Sequence, residues 1–200
     1  MPKAFSQQEK EIIRVQMREK GKTLFEKHGL KKTSVDELTE AAGISKGAFY
    51  LFYESKEELF LEILEQLEQE IQTKILEFSI EPKSNTKKNV SDLLRAFLLT
   101  RDSYPLLKNF GRSEFEYLLR KVPSEWAMKH ANKDEEFINQ FIKKIKQEGI
   151  PVKASPRVVS NLIKTLFFVG LYLAEIGQEA YQETMDVMID LVAGYIVGEH

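Results

Sequence analysis

The sequence contains no cysteine. That excludes disulfide frameworks, thiolate metal sites and cysteine nucleophiles. Long apolar runs are missing too. The strongest, around residues 166–174, is about half of the roughly 20 residues that span a bilayer, so no membrane partner is expected. The first eight residues carry no apolar segment of the secretory kind, and a cytoplasmic protein is expected. Strand signatures are scarce, with no sustained two-residue alternation and no Asn-Gly or Asp-Gly turn. Catalytic signatures are absent as well: no HExxH, no phosphate-binding glycine loop, no nucleophile elbow. His28, His130 and His200 lie far apart, without the spacing of a ligand pair. Neither an enzyme, nor a metal, nor a cofactor is expected. Charge of one sign is also lacking, since 29 Lys and Arg nearly balance 31 Asp and Glu.

What is present is helical. Hydrophobic residues make up 42% and charged residues 30% of 200 positions, a globular balance with enough apolar mass for a sizeable core. All six prolines fall near the N-terminus or where a helical pattern stops, as expected for residues that break helix interiors. Leu59, Ile63, Leu67, Ile71 and Ile75 step along a long fourth helix at helical spacing. A polar stretch, Ile80-Glu81-Pro82-Lys83-Ser84-Asn85-Thr86, reads as the clear linker. These features predict an all-α fold of about nine to ten helices. An N-terminal three-helix domain, residues 1–55, is joined through the fourth helix to a C-terminal helical domain, residues 56–200. Charge is uneven between the ends: through Lys56 there are 11 basic and 8 acidic residues, and the remainder holds 18 and 23. The sign favours an anionic partner at the front.

The most informative stretch is residues 34–53. Ser34 and Glu37 have the spacing of a capping box. Val35, Leu38 and Ala42 form a buried stripe, Gly43 permits a positive-φ turn, and Ser45 caps the next helix. Two short helices around a glycine turn are the recipe for a helix-turn-helix. The second opens Ser45-Lys46-Gly47-Ala48, small or basic at the end that meets base edges in a major groove. Lys46 suits a guanine edge or a phosphate, Gly47 allows close approach, and Tyr50 offers a hydroxyl or a ring face. Thr33 and Ser34 stand at a helix N-terminus, where phosphates bind, and Lys56 offers a further phosphate contact. Read without these surface residues, the segment is also compatible with two capped helices of a bundle.

Leu24-Phe25, Gly29, Thr33-Ser34-Val35, residues 41–47, Phe49-Tyr50 and residues 55–59 resemble the N-terminal signature of the TetR family of transcriptional regulators. The resemblance covers about the first 60 residues. Three departures stand out. Lys20-Gly21 replaces a frequent alanine pair, Phe52 stands where a histidine is usual, and Glu54 replaces a frequent lysine. Phe52 and Glu54 are therefore not expected to touch DNA.

The resemblance implies a homodimer, formed by the last two helices, that binds a palindromic double-stranded operator, commonly as a repressor. It also implies a small-molecule effector that releases the DNA. Leu162, Leu166, Gly170, Met188 and Val192 are the expected dimer contacts. Phe97, Phe110, Phe115, Trp126 and Phe167 are candidate pocket residues, although aromatics of this kind equally build an ordinary core. The rival reading is a helical protein-binding adaptor that uses the same fold without DNA. It predicts no salt-dependent DNA binding.

Overall fold

The computed structural model describes residues 5–77, 86–100, 103–122, 124–172 and 177–199, without the side chains of 124–132 and 178. Every regular element among the described residues is a helix. In chain order these are α1 (Gln7–Lys32), α2 (Val35–Ala42), α3 (Lys46–Phe49), α4 (Lys56–Glu77) and α5 (Thr86–Thr100). There follow α6 (Pro105–Asn109), α7 (Arg112–Leu119), α8 (Ser124–Gln147), α9 (Pro156–Leu171) and α10 (Gln178–Val197). The all-α expectation holds. The expected linker lies almost wholly outside the described residues. No described helix is long and apolar enough to cross a membrane.

Packing divides the chain into two units. One comprises the residues up to Gln69 together with Pro105–Val122. The other comprises Glu70–Tyr104 and the residues after Val122, so α4 contributes to both. Residues 105–122 thus pack with the N-terminal helices, although they are distant from them in sequence.

In the first unit, Ser6 and Glu9 close a capping box that starts α1. Met17 and Phe25 are buried one side of it, and Phe49, Leu38, Leu59 and Phe60 complete the same core. Phe25, Phe60 and Phe110 form a continuous aromatic series, with ring centroids 5.0 Å and 5.6 Å apart in successive pairs. The Lys20-Gly21 departure has a packing reason. A Cβ on Gly21 would lie 3.2 Å from Leu59 Cδ2 and 3.3 Å from Ile63 Cδ1. The missing side chain lets α1 approach α4 closely, and this offsets the helix propensity that glycine forfeits.

α1 has a bent end. Gly29 adopts φ 77°, ψ 164°, so regular helix stops at His28 and a last turn follows. The bend is held from two directions. Glu114 on α7 accepts from the Leu30 N–H at 2.7 Å, and Asn109 Nδ2 donates to the Glu26 carbonyl at 3.3 Å. The positive φ favours glycine, and a Cβ there, 2.5 Å from Glu114 Oε1, would displace the carboxylate that holds the Leu30 N–H.

In the second unit, α5 packs on α10 and α9 on both α8 and α10. Leu94, Ile145, Leu166 and Ile196 are fully buried there. Arg95 on α5 pins α10 through Asp186 at 2.9 Å and Asp190 at 3.3 Å, and Ser91 Oγ donates to Asp190 at 2.8 Å. Lys164 on α9 pairs with Asp134 on α8 at 2.9 Å.

Candidate nucleic-acid interface

The helix-turn-helix forms where the sequence places it. Ser34 caps α2. Its Oγ accepts from the Glu37 N–H at 3.2 Å, and the Glu37 carboxylate accepts from the Ser34 N–H at 2.7 Å. These bonds hold Glu37 below the usual carboxylate range. α2 ends at Gly43, which is left-handed at φ 66°, ψ 30°. The Gly43 N–H donates to the Glu40 carbonyl at 3.1 Å and the Ile44 N–H to the Thr39 carbonyl at 3.0 Å. That pair of bonds satisfies the last carbonyls and turns the chain toward α3. Ser45 Oγ then accepts from the Ala48 N–H at 3.1 Å and starts α3.

α3 is short, and its two sides differ sharply. Ala48 and Phe49 are buried, as are Phe52 and Tyr53 in the turn that follows. Ser45, Lys46, Gly47, Tyr50 and Leu51 are exposed. Phe52 rests against Phe5, with ring centroids 6.1 Å apart, so it belongs to the packed side. Burial pushes the Tyr53 hydroxyl well above the usual tyrosine range. Tyr50 is 52% exposed and Leu51 is 72% exposed. Leu51 was not singled out from the sequence. It lies in the turn beyond α3, where the helical period gives no guide to its exposure.

Gly47 has no internal reason to be glycine. Its φ is not positive, and a Cβ there would meet nothing nearer than Ser45 Oγ at 4.0 Å. Lys46 is held by Asp36 of α2. Its Nζ lies 2.9 Å from Oδ1 and 3.1 Å from Oδ2, and this bond raises the lysine above its ordinary value.

Two residues expected at the DNA surface lie elsewhere. Thr33 is 1% exposed, and its hydroxyl donates to the Gly29 carbonyl at 2.8 Å. Lys56, expected to hold a phosphate, instead caps the end of α1. Its Nζ donates to the carbonyls of Leu30, Lys31 and Thr33 at 2.8, 3.1 and 2.7 Å, which uses all three ammonium protons. Next to it, Glu57 accepts from the Tyr117 hydroxyl, and this bond together with burial pushes Tyr117 up to about 12. Lys31 sits over the Tyr117 ring, 5.9 Å from its centroid.

The remaining expected sites are scattered. Phe110 and Phe115 belong to the first unit and lie 6.3 Å apart, while Phe97 and Phe167 belong to the second. The Trp126 side chain lies outside the described residues. Leu166, Gly170 and Val192 are buried within the chain's own fold, and Leu162 and Met188 are half-buried. The apolar surface that α10 leaves exposed is carried by Val187, Leu191 and Tyr195, with Leu191 68% exposed.

Residues 18–63 match the family model described as bacterial regulatory proteins, tetR family. Two relatives come from Bacillus subtilis, both described as uncharacterized HTH-type transcriptional regulators. YfiR is 24% identical over 72% of this chain and 69% of its own length. YhgD is 37% identical over 41% of this chain and 42% of its own. Among solved structures, a TetR-family transcriptional regulator from Pectobacterium atrosepticum superposes with a TM-score of 0.71. It shares 20% identity over 96% of this chain and 98% of that one. RolR in complex with the ligand resorcinol reaches 0.64, at 14% identity over 94% and 96% of the two chains. SmeT, the repressor of the Stenotrophomonas maltophilia multidrug efflux pump SmeDEF, reaches 0.58, at 17% identity over 92% and 90%.

Replacing Lys56 separates a structural cap from a phosphate contact. Lys56→Met is expected to destabilise the protein by about 1–3 kcal/mol in urea, because three carbonyls lose a charged donor. The slope of DNA affinity against salt should stay unchanged. A salt slope shallower by about one phosphate, without loss of stability, would return Lys56 to the DNA surface.

Proposed function

The chain belongs to the TetR family of transcriptional regulators, with its DNA-binding domain at the N-terminus, and from that premise we propose that it is a homodimeric repressor of a palindromic operator, released by a small molecule. On this reading it acts in the cytoplasm, where the DNA is. The proposed functional division is residues 1–55 for DNA and 56–200 for ligand and dimerisation.

One observation carries the DNA reading. α3 is locked from beneath by Ala48 and Phe49 and exposes a small, shallow surface of Ser45, Lys46, Gly47, Tyr50 and Leu51. Gly47 is the sharpest part of it. Nothing inside the protein needs a glycine there, and alanine would raise helix propensity by up to about 1 kcal/mol. A glycine kept at a place where the fold gains nothing from it suits close approach by an outside surface. We assign the operator contacts to Ser45, Lys46, Gly47, Tyr50 and Leu51; Ser34, also expected at a phosphate, uses its N–H and its hydroxyl on the Glu37 carboxylate. An adaptor without DNA gains no support from this face, whose exposed residues are mostly small or polar rather than a broad apolar patch.

The apolar surface of α10 supports dimerisation. Val187 and Leu191 lie one turn apart on an exposed face, and Val158 of α9 is also exposed. A second copy covering this face would bring a second reading head, as a palindrome with half-sites about 34–36 Å apart requires. Ligand release uses α4, which contributes residues to both units. Its first turn is fastened to the end of α1 through Lys56 and to α7 through Glu57 and Tyr117. A ligand bound among the C-terminal helices that shifts α4 changes the half-site spacing and leaves the contact residues intact. RolR, with its bound resorcinol, supports a small aromatic or apolar compound as the first class to try.

Three measurements test the reading. Selection from random duplexes should yield a palindrome. Gly47→Ala and Tyr50→Ala should each weaken binding to it by about 1–3 kcal/mol with undiminished thermal stability. Equal affinity in both variants would remove the assigned face. Leu191→Glu should convert a dimer to a monomer in sedimentation and abolish palindrome binding, and an intact dimer would move the interface elsewhere. In a thermal-shift screen of apolar and phenolic compounds, any stabilising ligand should lower operator affinity by the factor by which operator lowers its own affinity. A tight ligand with no effect on operator binding would contradict release.

A further inference from the structure

The reading head is poor in positive charge. Between Thr33 and Ser55 the sequence holds a single basic residue, Lys46, against the four acids Asp36, Glu37, Glu40 and Glu54. That lysine is engaged on both oxygens of Asp36, at 2.9 and 3.1 Å. The pair is open to water, with side chains 54% and 73% exposed. Exposed pairs contribute little to stability, because water and salt screen them and two long side chains must be ordered. α2 does not depend on Asp36 for its start either, since Ser34 and Glu37 already close its capping box. The fold's own use for this carboxylate is the modest one of an acid in the first turn of a helix.

Resting on the DNA reading above, we propose that Asp36 is an electrostatic brake: it occupies Lys46 as a phosphate would, and so suppresses binding to duplexes that do not fit α3. Binding to arbitrary DNA is driven by lysine and arginine displacing the counterions condensed on phosphates. A lysine already neutralised by Asp36 releases few counterions unless the pair opens. When it opens, the freed carboxylate stands beside the phosphates and repels them. Only a site that also satisfies the Gly47, Tyr50 and Leu51 surface offsets both penalties. Asp36 touches no base on this account. It acts through Lys46, and its effect is on the ratio of operator to non-operator affinity.

The test compares wild type, Asp36→Asn, Lys46→Ala and the double variant by fluorescence anisotropy. Each is measured on the selected operator and on a scrambled duplex of equal length, over a salt series, with urea stability alongside. Asp36→Asn should bind the scrambled duplex about fivefold more tightly at low salt. Its salt slope should steepen by roughly 0.9, equivalent to one more phosphate neutralised. The operator-to-scrambled ratio should fall and urea stability should stay unchanged. In the Lys46→Ala background the steepening should vanish. Scrambled-duplex affinity that is unchanged or weaker in Asp36→Asn, while wild type binds DNA normally, would overturn the brake alone. A weaker value would make Asp36 a support that positions Lys46. Wild type showing no salt-dependent binding to any duplex would overturn the brake and the DNA reading together.

Discussion

The end of α1 is the point on which the reading head depends. A helix ends with carbonyls that have no partner, and here the chain must also reverse into α2. Lys56 meets three of these carbonyls, Thr33 takes the Gly29 carbonyl, and Glu114 takes the Leu30 N–H. One small knot thus joins α1, the entry to α2, the first turn of α4 and α7. Gly29 makes it possible through its positive φ and through the space that Glu114 occupies. Without these bonds, α2 and α3 would keep their caps but lose a fixed orientation relative to α4.

The same economy governs the helix-turn-helix itself. Its caps, Ser34, Gly43 and Ser45, are spent on backbone groups, and its large side chains face inward. Only a few small or planar groups face outward. This division between held and offered groups suits a surface that must keep its shape while docking. It also explains why Thr33 and Lys56 are poor candidates for contact: their donors are already committed to holding the knot together.

In the second unit, apolar side chains are divided in a comparable way. Leu166, Gly170 and Val192 are consumed by the packing of α9 and α10 within the chain, with Arg95 fastening α10 to α5. Val187 and Leu191 remain outside. Among apolar residues on one amphipathic helix, the sequence cannot say which turn is covered by the chain's own neighbours. Phe110 and Phe115 make the same point. They were readable as pocket or core, and they complete the aromatic series with Phe25 and Phe60.

The sequence by itself determined what depends on local chemistry. Helical periodicity, proline placement and the caps at Ser6, Ser34, Gly43 and Ser45 act within a turn or two, so the all-α fold and the helix-turn-helix were legible before any coordinates. So was the exclusion of Phe52, which rests on its apolar side chain standing where the resembled family usually has a histidine. The tertiary structure decided everything that depends on partners distant in sequence. It put Lys56 on the end of α1, Glu114 on Leu30, Asp36 on Lys46 and Gly21 against Leu59. A side chain's type states what it can bond, but only the three-dimensional packing fixes which partner reaches it first. Lys56 and Lys46 looked alike in the sequence. The fold uses one as a half-buried strap and leaves the other on a surface, held by a single aspartate.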